Sequence, residues 1–169
     1  MRLHRIDTTH HLRIRLDEAW AFFSDPRNLG RITPPSMRFE ILSPLPARVY
    51  PGLLITYRVR PLLGLPVTWI TEITQVVEPR LFVDEQRFGP YRFWHHLHMF
   101  REVDDGTEMR DIVHYALPIG ILGRAAHGLL VAPRLREIFE FRRRRLDEIF
   151  GQPAVAVGAP MHAGTRGGP

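Results

Sequence analysis

The side chains best suited to chemistry lie in two neighbouring stretches of the chain and in one later segment. His96 and His98 stand two residues apart, Asp111 and Tyr115 follow in the next stretch, and Arg142 comes near the end. Histidine can act as a general base near neutral pH, tyrosine can donate a hydrogen bond, and arginine can stabilise an enolate. These five residues are therefore the candidate catalytic groups if the protein is an enzyme.

A divalent metal is one alternative role for part of this set. His96, His98 and Asp111 together would form a site of two histidines and one carboxylate, the type that holds non-haem iron or zinc. Histidines that share a face in a cavity are more often hydrogen-bonded to each other, to water or to an organic ligand, so we expect no metal and no cofactor. His10 and His11 are adjacent and point to opposite sides of their strand, so they form no joint site.

The same polar groups also suit a protein that binds a ligand without changing it. A pocket for a polar-headed lipid or quinone would use them to hold the head while aromatic side chains hold the tail. The sequence has no nucleophile motif and no phosphate loop, and Gly120, Gly123 and Gly128 do not match a dinucleotide fingerprint. We therefore expect binding rather than catalysis, with an enzyme that uses the same cavity as the alternative.

Hydrophobic periodicity locates the elements that must position these residues. Alternation from His10 to Leu16 predicts the first strand. Asp17 is a plausible N-cap for a short apolar helix that ends at Asp25-Pro26. A second short helix is predicted over Arg27 to Ile32, and the Pro34-Pro35 pair excludes helix after it.

A run of strands follows the two short helices. Turn signals at Glu78-Pro79, Gly89-Pro90 and Asp104-Asp105-Gly106 have the spacing of an antiparallel meander. The predicted strands lie near Phe39 and Ile41, over Ile55 to Val59, and over Val67 to Val77, Leu81 to Phe88, Arg92 to Val103 and Thr107 to Leu117.

The last element is a long helix, weakly helical from Ile119 and well defined from Arg134 to Phe150. At 100° per residue its apolar side chains form one stripe, broad enough to cover a sheet, that consists of Leu135, Ile138, Phe139, Leu146, Ile149 and Phe150. Arg142 lies near the centre of this stripe and so faces the sheet. Arg143, Arg144 and Arg145 lie toward the edges or the back of the helix.

The hairpin at Asp104-Asp105-Gly106 predicts which side chains share a face. If the loop holds an even number of residues, the sequence numbers of two residues that lie opposite each other on the paired strands add up to 211. One face then carries Trp94, His96, His98 and Phe100 on the first strand, opposite Leu117, Tyr115, Val113 and Asp111 on the second. The other face carries more charged side chains, as is usual for a face exposed to solvent. We therefore expect the face with Trp94 to point into the core.

Asp111 needs a partner on that inward face because a buried carboxylate is costly unless it is paired. Arg142 on the long helix can supply the opposite charge. A buried or half-buried contact between Arg142 and Asp111 is therefore predicted, with Glu72 or Glu85 as the partner if the register differs.

The order of elements, together with three short phrases, carries a family resemblance. The phrases are Glu78-Pro-Arg in a turn, Gly89-Pro90-Tyr91 followed by Trp94-His-His-Leu-His98, and Asp111 to Tyr115 leading into Pro118. Over roughly Leu3 to Phe150 the chain resembles the START-like superfamily, also called SRPBCC, which includes pollen-allergen-like proteins, polyketide cyclases and coenzyme-Q-binding proteins. The resemblance implies an α+β helix-grip (Bet v 1-like) fold, in which a curved antiparallel sheet wraps a long C-terminal helix and two short helices follow the first strand.

The same resemblance implies a deep apolar cavity between sheet and helix that holds a hydrophobic small molecule. The expected function is binding or transport of a lipid, quinone or polyketide-like compound, and the alternative is a polyketide cyclase or dehydratase. The expected ligand-binding residues are Trp94, His96, His98, Phe100, Asp111, Val113, Tyr115, Phe139 and Arg142.

Composition sets the limits of this interpretation. The chain has 169 residues, no cysteine and a formal net charge of +5, and all 23 of its basic residues are arginine. We expect one domain over residues 1–150 and a disordered Gly/Pro/Ala-rich tail over 151–169. No signal peptide or membrane span is visible, so a soluble, cytoplasmic monomer or weak homodimer is expected.

Basic surface residues raise two weaker possibilities. The arginines of the last helix are spread round it and diluted by acidic residues, so no nucleic-acid partner is expected. The same arginine face suggests a mild attraction to an anionic membrane, with the apolar loop from Pro61 to Pro66 entering the membrane transiently during ligand transfer.

Overall fold

Alternating apolar residues and turn signals divide the chain into an ordered series of strands and helices. The computed structural model describes residues 2–60, 64–118 and 130–151. Its strands are β1 (His4–Leu12), β2 (Glu40–Ile41), β3 (Leu54–Val59), β4 (Val67–Val77), β5 (Leu81–Phe88), β6 (Phe93–Val103) and β7 (Gly106–Ala116). Its α-helices are α1 (Leu16–Phe23) and α2 (Ala132–Ile149), and the 3-10 segments Pro26–Ile32 and Pro35–Met37 follow α1.

The strands form one antiparallel sheet that curves around α2. Their order is β1-β7-β6-β5-β4-β3-β2, so the first strand pairs with the last. Two register shifts between β4 and β5, at Ile70/Thr71 and at Ile73/Gln75, are irregularities of the kind that bend a sheet. The predicted α+β helix-grip architecture is confirmed.

Helix α2 packs on the inward face of the sheet through the predicted apolar stripe. Leu135 and Phe139 are buried against Val113 and Tyr115 of β7, and Leu146 is buried farther along the helix. Full burial of each such side chain stabilises the fold by about 1.5–3 kcal/mol. The stripe therefore fixes which side of α2 faces the sheet.

Helix α1 and the segments after it close one end of the sheet. Trp20 is 3% exposed and makes edge contacts with Phe82 and Phe100 of the sheet. The N-cap is Arg15 rather than Asp17, because the carboxylate of Glu18 accepts a hydrogen bond from the Arg15 N–H at 3.1 Å. The prediction that Asp17 caps this helix is wrong by two positions.

Two other predicted boundaries differ from the structure. The first strand ends at Leu12 instead of Leu16, because the chain bends after Leu12 and enters α1. The strand begins at His4, and the sequence did not indicate this start because polar residues interrupt the apolar alternation there. These polar residues still pair in register with β7. A 3-10 turn begins at Pro35, where the sequence excluded helix, since proline is compatible with the first helical position.

The β6–β7 hairpin has a different register from the one predicted. Val103 pairs with Gly106, so the loop is Asp104-Asp105, and opposed residue numbers add up to 209 rather than 211. The shift is two residues, which leaves each side chain on its predicted face but changes its cross-strand neighbour. The prediction that the face with Trp94 points inward is correct, since the even-numbered residues His96, His98 and Phe100 are buried.

Gly106 explains why the loop lies where it does. Its φ is +147°, and a Cβ placed there would lie 2.1 Å from the carbonyl oxygen of Leu12. Only glycine combines this backbone conformation with so close an approach of β1.

Replacing Gly106 with alanine is expected to lower the free energy of unfolding by about 1–3 kcal/mol, because the backbone of the hairpin and of β1 must move apart. Urea unfolding of Gly106→Ala measures the effect. Gly52→Ala is the control, since Gly52 also has a positive φ of 88° but a Cβ there would have no neighbour within 4 Å. Equal losses in the two variants would show that backbone strain alone, and not the approach to Leu12, accounts for the cost.

Some predicted features fall outside the described residues. These are the weakly helical stretch from Ile119 to Gly128, the tail from Gln152 to Pro169, and Leu62 and Leu63 of the apolar loop. Among the described helices, none combines the length and the apolar character needed to cross a bilayer.

Candidate functional site

Three adjacent strands bring four polar side chains together on the inward face of the sheet. Asp84 of β5 pairs in register with His96 of β6, and His98 of β6 pairs with Asp111 of β7. Because side chains alternate between faces along a strand, these four residues form a compact diagonal group. Together with Arg142 they are called the polar cluster below.

Each imidazole of the polar cluster lies between the two carboxylates. For His96, Nδ1 is 3.3 Å from Asp84 Oδ2 and Nε2 is 3.2 Å from Asp111 Oδ1. For His98, Nε2 is 2.9 Å from Asp84 Oδ2 and Nδ1 is 2.7 Å from Asp111 Oδ1. The ring centroids of the two histidines are 3.8 Å apart, so the rings lie side by side.

Arg142 reaches the polar cluster from α2. Its Nη1 is 3.5 Å from Asp111 Oδ2, and its guanidinium carbon is 5.3 Å from the centre of the Phe139 ring. Asp111 is fully buried and Arg142 is 8% exposed. The predicted contact between Arg142 and Asp111 is therefore present, and α2 is held to β7 by charge as well as by apolar packing.

The pKa values indicate how charge is distributed in the polar cluster. Burial raises the pKa of Asp111 and of Asp84, but the two histidines outweigh it and hold both pKa values below the ordinary one. Burial lowers the pKa of His98, but Asp111 and Asp84 raise it above the ordinary value. For His96, burial and the neighbouring His98 together lower the pKa. The groups around the two carboxylates thus hold both in the charged form, and His98 keeps a proton more readily than His96 does.

A cavity lies between the sheet and α2, and the polar cluster forms part of its wall. The cavity has a volume of about 180 Å³. Aromatic side chains form one region of the lining: Trp69, Tyr91, Trp94 and Phe139. Apolar residues of β3, the 3-10 segments and α2 form most of the rest, including Leu29, Met37, Ile55, Val59, Leu135 and Ile138.

The structure brings only part of the predicted site to the cavity. Five predicted residues line it: Trp94, His96, His98, Phe139 and Arg142. Asp111 lies behind the two histidines and contacts both of them. Phe100, Val113 and Tyr115 do not line it, because Phe100 packs with Trp20 and the other two lie under α2.

Asp84 is the residue of the polar cluster that sequence reasoning missed. It shares the inward face of β5 with Phe82, and this alternation was the signal that would have placed it there. Glu72 and Glu85, the alternative partners for Arg142, instead lie close to Arg87, at 2.5 Å and 2.9 Å.

His10 is a third buried histidine and lies beside the polar cluster. It is 7% exposed, and its Nε2 has no hydrogen-bond partner among the described residues. Burial lowers its pKa; Asp111 and Asp147 act in the opposite direction, and Arg142 and Arg143 act in the same direction. His10 is therefore neutral in the folded protein at neutral pH.

We expect His10 to make the fold less stable as the pH falls. Because its folded pKa lies below that of the unfolded chain, the unfolded chain takes up a proton first below about pH 6.5. The loss approaches about 1.4 kcal/mol for each pH unit by which the folded pKa is lowered. Urea unfolding between pH 7.5 and 5.5 should show a smaller loss for His10→Leu than for the wild type. His11→Leu is the control, because His11 is exposed, and an unchanged pH dependence in His10→Leu would contradict the assignment.

Solved structures of the same architecture extend this description. The protein CV1439 from Chromobacterium violaceum is 14% identical, with a TM-score of 0.66 over 89% of this chain and 99% of that one. Protein Ms6760 from Mycobacterium smegmatis is 22% identical, with a TM-score of 0.63 over 86% and 89% of the two chains. The major latex-like protein 151 from Panax ginseng is 10% identical, with a TM-score of 0.63 over 88% and 97%.

These likenesses show the fold. The chain has the helix-grip fold of the Bet v 1-like and START-like proteins. No family model and no curated protein matches its sequence.

Proposed function

We propose that this protein binds a largely apolar small molecule, aromatic in part, in the cavity between the sheet and α2. The observation that carries the proposal is the cavity itself, whose lining is mainly apolar and aromatic and includes a few polar groups, four of them from the polar cluster. Binding sites for small molecules combine these two features, since the apolar wall supplies affinity and a few polar groups fix orientation.

The positions of the lining groups suggest how such a ligand would lie. Trp69 and Trp94 meet edge to face at 5.3 Å, and Tyr91 packs against both, so an aromatic ring system would find its contacts there. The Asp84 side chain is 18% exposed, which leaves it able to accept a hydrogen bond from the cavity side. A ligand with a hydroxyl or amino group at one end fits this arrangement.

Native mass spectrometry of the protein purified without added ligand tests the proposal. A stoichiometric adduct that disappears on denaturation is the expected result, and an organic extract then gives its chemical class. If the purified protein carries no adduct, a panel of aromatic polyketides, quinones and lipids is titrated while tryptophan fluorescence is followed, because Trp69 and Trp94 line the cavity. Failure of both the purified protein and the panel to show a saturable complex would overturn the proposal.

A polyketide cyclase or dehydratase is the second candidate function. Its specific support is His96, a neutral imidazole on the cavity wall that can accept a proton from a bound substrate. Tyr115 is not available as a hydrogen-bond donor to that substrate, since it lies outside the lining, whereas Tyr91 lies within it. Turnover of an aromatic polyketide that is lost in His96→Gln while binding survives would favour this function, and loss of binding alone would favour a carrier.

Transient contact with an anionic membrane stays a prediction. Leu65 is 65% exposed, consistent with an apolar loop available for such contact. We expect salt-sensitive pelleting with anionic liposomes, and less pelleting when Leu62, Leu63 and Leu65 are replaced by serine. Equal pelleting of the wild type and this variant would show that the loop does not contribute to membrane contact.

A further inference from the structure

The cavity-facing side of the polar cluster contains three potential metal-ligand atoms at one point. Nδ1 of His96 and Nε2 of His98 both approach Oδ2 of Asp84, at 3.3 Å and 2.9 Å. One ligand atom from each of the three residues lies within 4.8 Å of the others. The sequence alone favoured no metal for His96, His98 and Asp111, but it did not include Asp84, which supplies the carboxylate on the side open to the cavity.

The contact behind this point directs one ring nitrogen of His96 toward Asp84. Asp111 is fully buried and needs hydrogen-bond donors, and Nε2 of His96 lies 3.2 Å from its Oδ1. When Nε2–H is donated to Asp111, Nδ1 is the ring nitrogen of His96 that can coordinate a metal ion. Nδ1 lies 3.3 Å from Asp84 Oδ2, so one cation between these two atoms would coordinate both.

The distances fit a metal ion. Ligand atoms bound to one ion at about 2.0–2.2 Å lie roughly 2.8–3.1 Å apart at the 90° angles of an octahedron and roughly 3.3–3.6 Å apart at the tetrahedral angle. The separations of 2.9 Å and 3.3 Å at Asp84 Oδ2 agree with these ranges. Small movements of the side chains would therefore be enough to admit an ion.

The surroundings resemble the outer contacts of metal-bound histidines. Such histidines almost always direct their second ring nitrogen at a carboxylate or carbonyl, which fixes the ring. Here the second nitrogen of each ring, Nε2 of His96 and Nδ1 of His98, lies 3.2 Å and 2.7 Å from the same oxygen of Asp111. Arg142 in turn contacts the other oxygen of Asp111, so that carboxylate is itself held in place.

We propose that Asp84, His96 and His98 bind a divalent transition-metal ion, with Asp111 as the positioning residue for both imidazoles. Two nitrogens and one oxygen suit Zn²⁺, Fe²⁺ or Co²⁺ better than Ca²⁺ or Mg²⁺, which prefer oxygen ligands. All three ligating residues line the cavity, so the remaining coordination positions face it. The ion would thus be accessible to an oxygen atom of a molecule in the cavity, as in sites that keep an open position.

Titration of the metal-free full-length protein with Co²⁺ tests the proposal. The expected result is one Co²⁺ per chain, with visible absorption bands of nitrogen and oxygen coordination, and competition by Zn²⁺. Asp84→Asn and His98→Gln should each weaken binding at least about tenfold, and Asp111→Asn should weaken it about 10- to 100-fold. Circular dichroism and thermal unfolding confirm that each variant is folded, and Asp84→Asn, which keeps the shape of the side chain, is the variant least disturbing to the fold.

A matched control is available on the opposite face of the same strands. His95 and His114 are cross-strand neighbours on that face, so the double variant His95→Gln/His114→Gln removes two histidines of β6 and β7 but keeps the polar cluster. It should bind Co²⁺ as the wild type does. The proposal would be overturned by absence of bound Co²⁺ in the wild type, by unchanged binding in Asp84→Asn, or by loss of binding in the control. The Co²⁺ titration does not depend on the organic ligand, because native mass spectrometry of the chelator-treated protein measures binding of the organic ligand separately.

Discussion

Replacing Asp111 with asparagine is expected to lower the free energy of unfolding by about 3–5 kcal/mol. The substitution keeps the volume of the side chain but removes the charge that Arg142 contacts at 3.5 Å. Arginine cannot lose its proton in a protein, so the guanidinium stays buried and charged without the carboxylate that contacts it. Urea unfolding at pH 7 measures the loss.

The double variant Asp111→Asn/Arg142→Met separates the cost of a stranded charge from the value of the pair. We expect it to be more stable than Asp111→Asn alone, because methionine fills space beneath α2 without a buried charge. The double-mutant cycle, completed with Arg142→Met, should give a coupling energy of about 1–3 kcal/mol. Losses that simply add would show that the contact between Asp111 and Arg142 contributes nothing to folding.

Filling the cavity from α2 should abolish most ligand binding. Ile138 is half-buried on α2 and lines the cavity, so the larger side chain of Ile138→Trp would occupy space that a ligand needs. We expect the affinity for the ligand identified by mass spectrometry, or for an apolar fluorescent probe, to fall at least about tenfold, a loss of about 1.4 kcal/mol. Fluorescence titration with that probe or isothermal titration calorimetry with the ligand measures it.

Arg136→Trp is the control for the cavity-filling variant. Arg136 is exposed on the same helix, so the substitution adds an indole without entering the cavity. Its affinity should match that of the wild type. Unchanged affinity in Ile138→Trp would place the binding site elsewhere on the protein.

The sequence predicted the inward face of the sheet better than the contacts on it. Side chains alternate along a strand, so a register error of two residues left His96, His98 and Asp111 on the correct face. The cross-strand neighbours were wrong, because they depend on whether the loop is Asp104-Asp105 or is shifted by one residue. That choice is made by the close approach of Gly106 to β1, which is a contact between distant parts of the chain.

The composition of the cavity wall was harder to predict for a related reason. Phe100 and Tyr115 lie on the inward face as expected, but α1 and α2 cover them, so they face packed side chains instead of open space. Asp84 shows the opposite case, since its strand was predicted but its meeting with His96 needed the pairing of β5 with β6. The alternation of side chains along a strand determines which residues lie on the inward face of the sheet. Which of these residues line the cavity depends on the part of that face that α1 and α2 cover.

The pairing of β1 with β7 affects the order in which the sheet can be completed during synthesis. Asp7 and Arg110, which are 103 residues apart, form an ion pair across this strand pair. At about 5–20 residues per second, β1 leaves the ribosome many seconds before its partner strand exists. The run Asp7-Thr8-Thr9-His10-His11 in the middle of β1 exposes little apolar surface during that time. The polar residues that made this strand hard to recognise in the sequence therefore also leave the unpaired strand with few apolar side chains through which to associate.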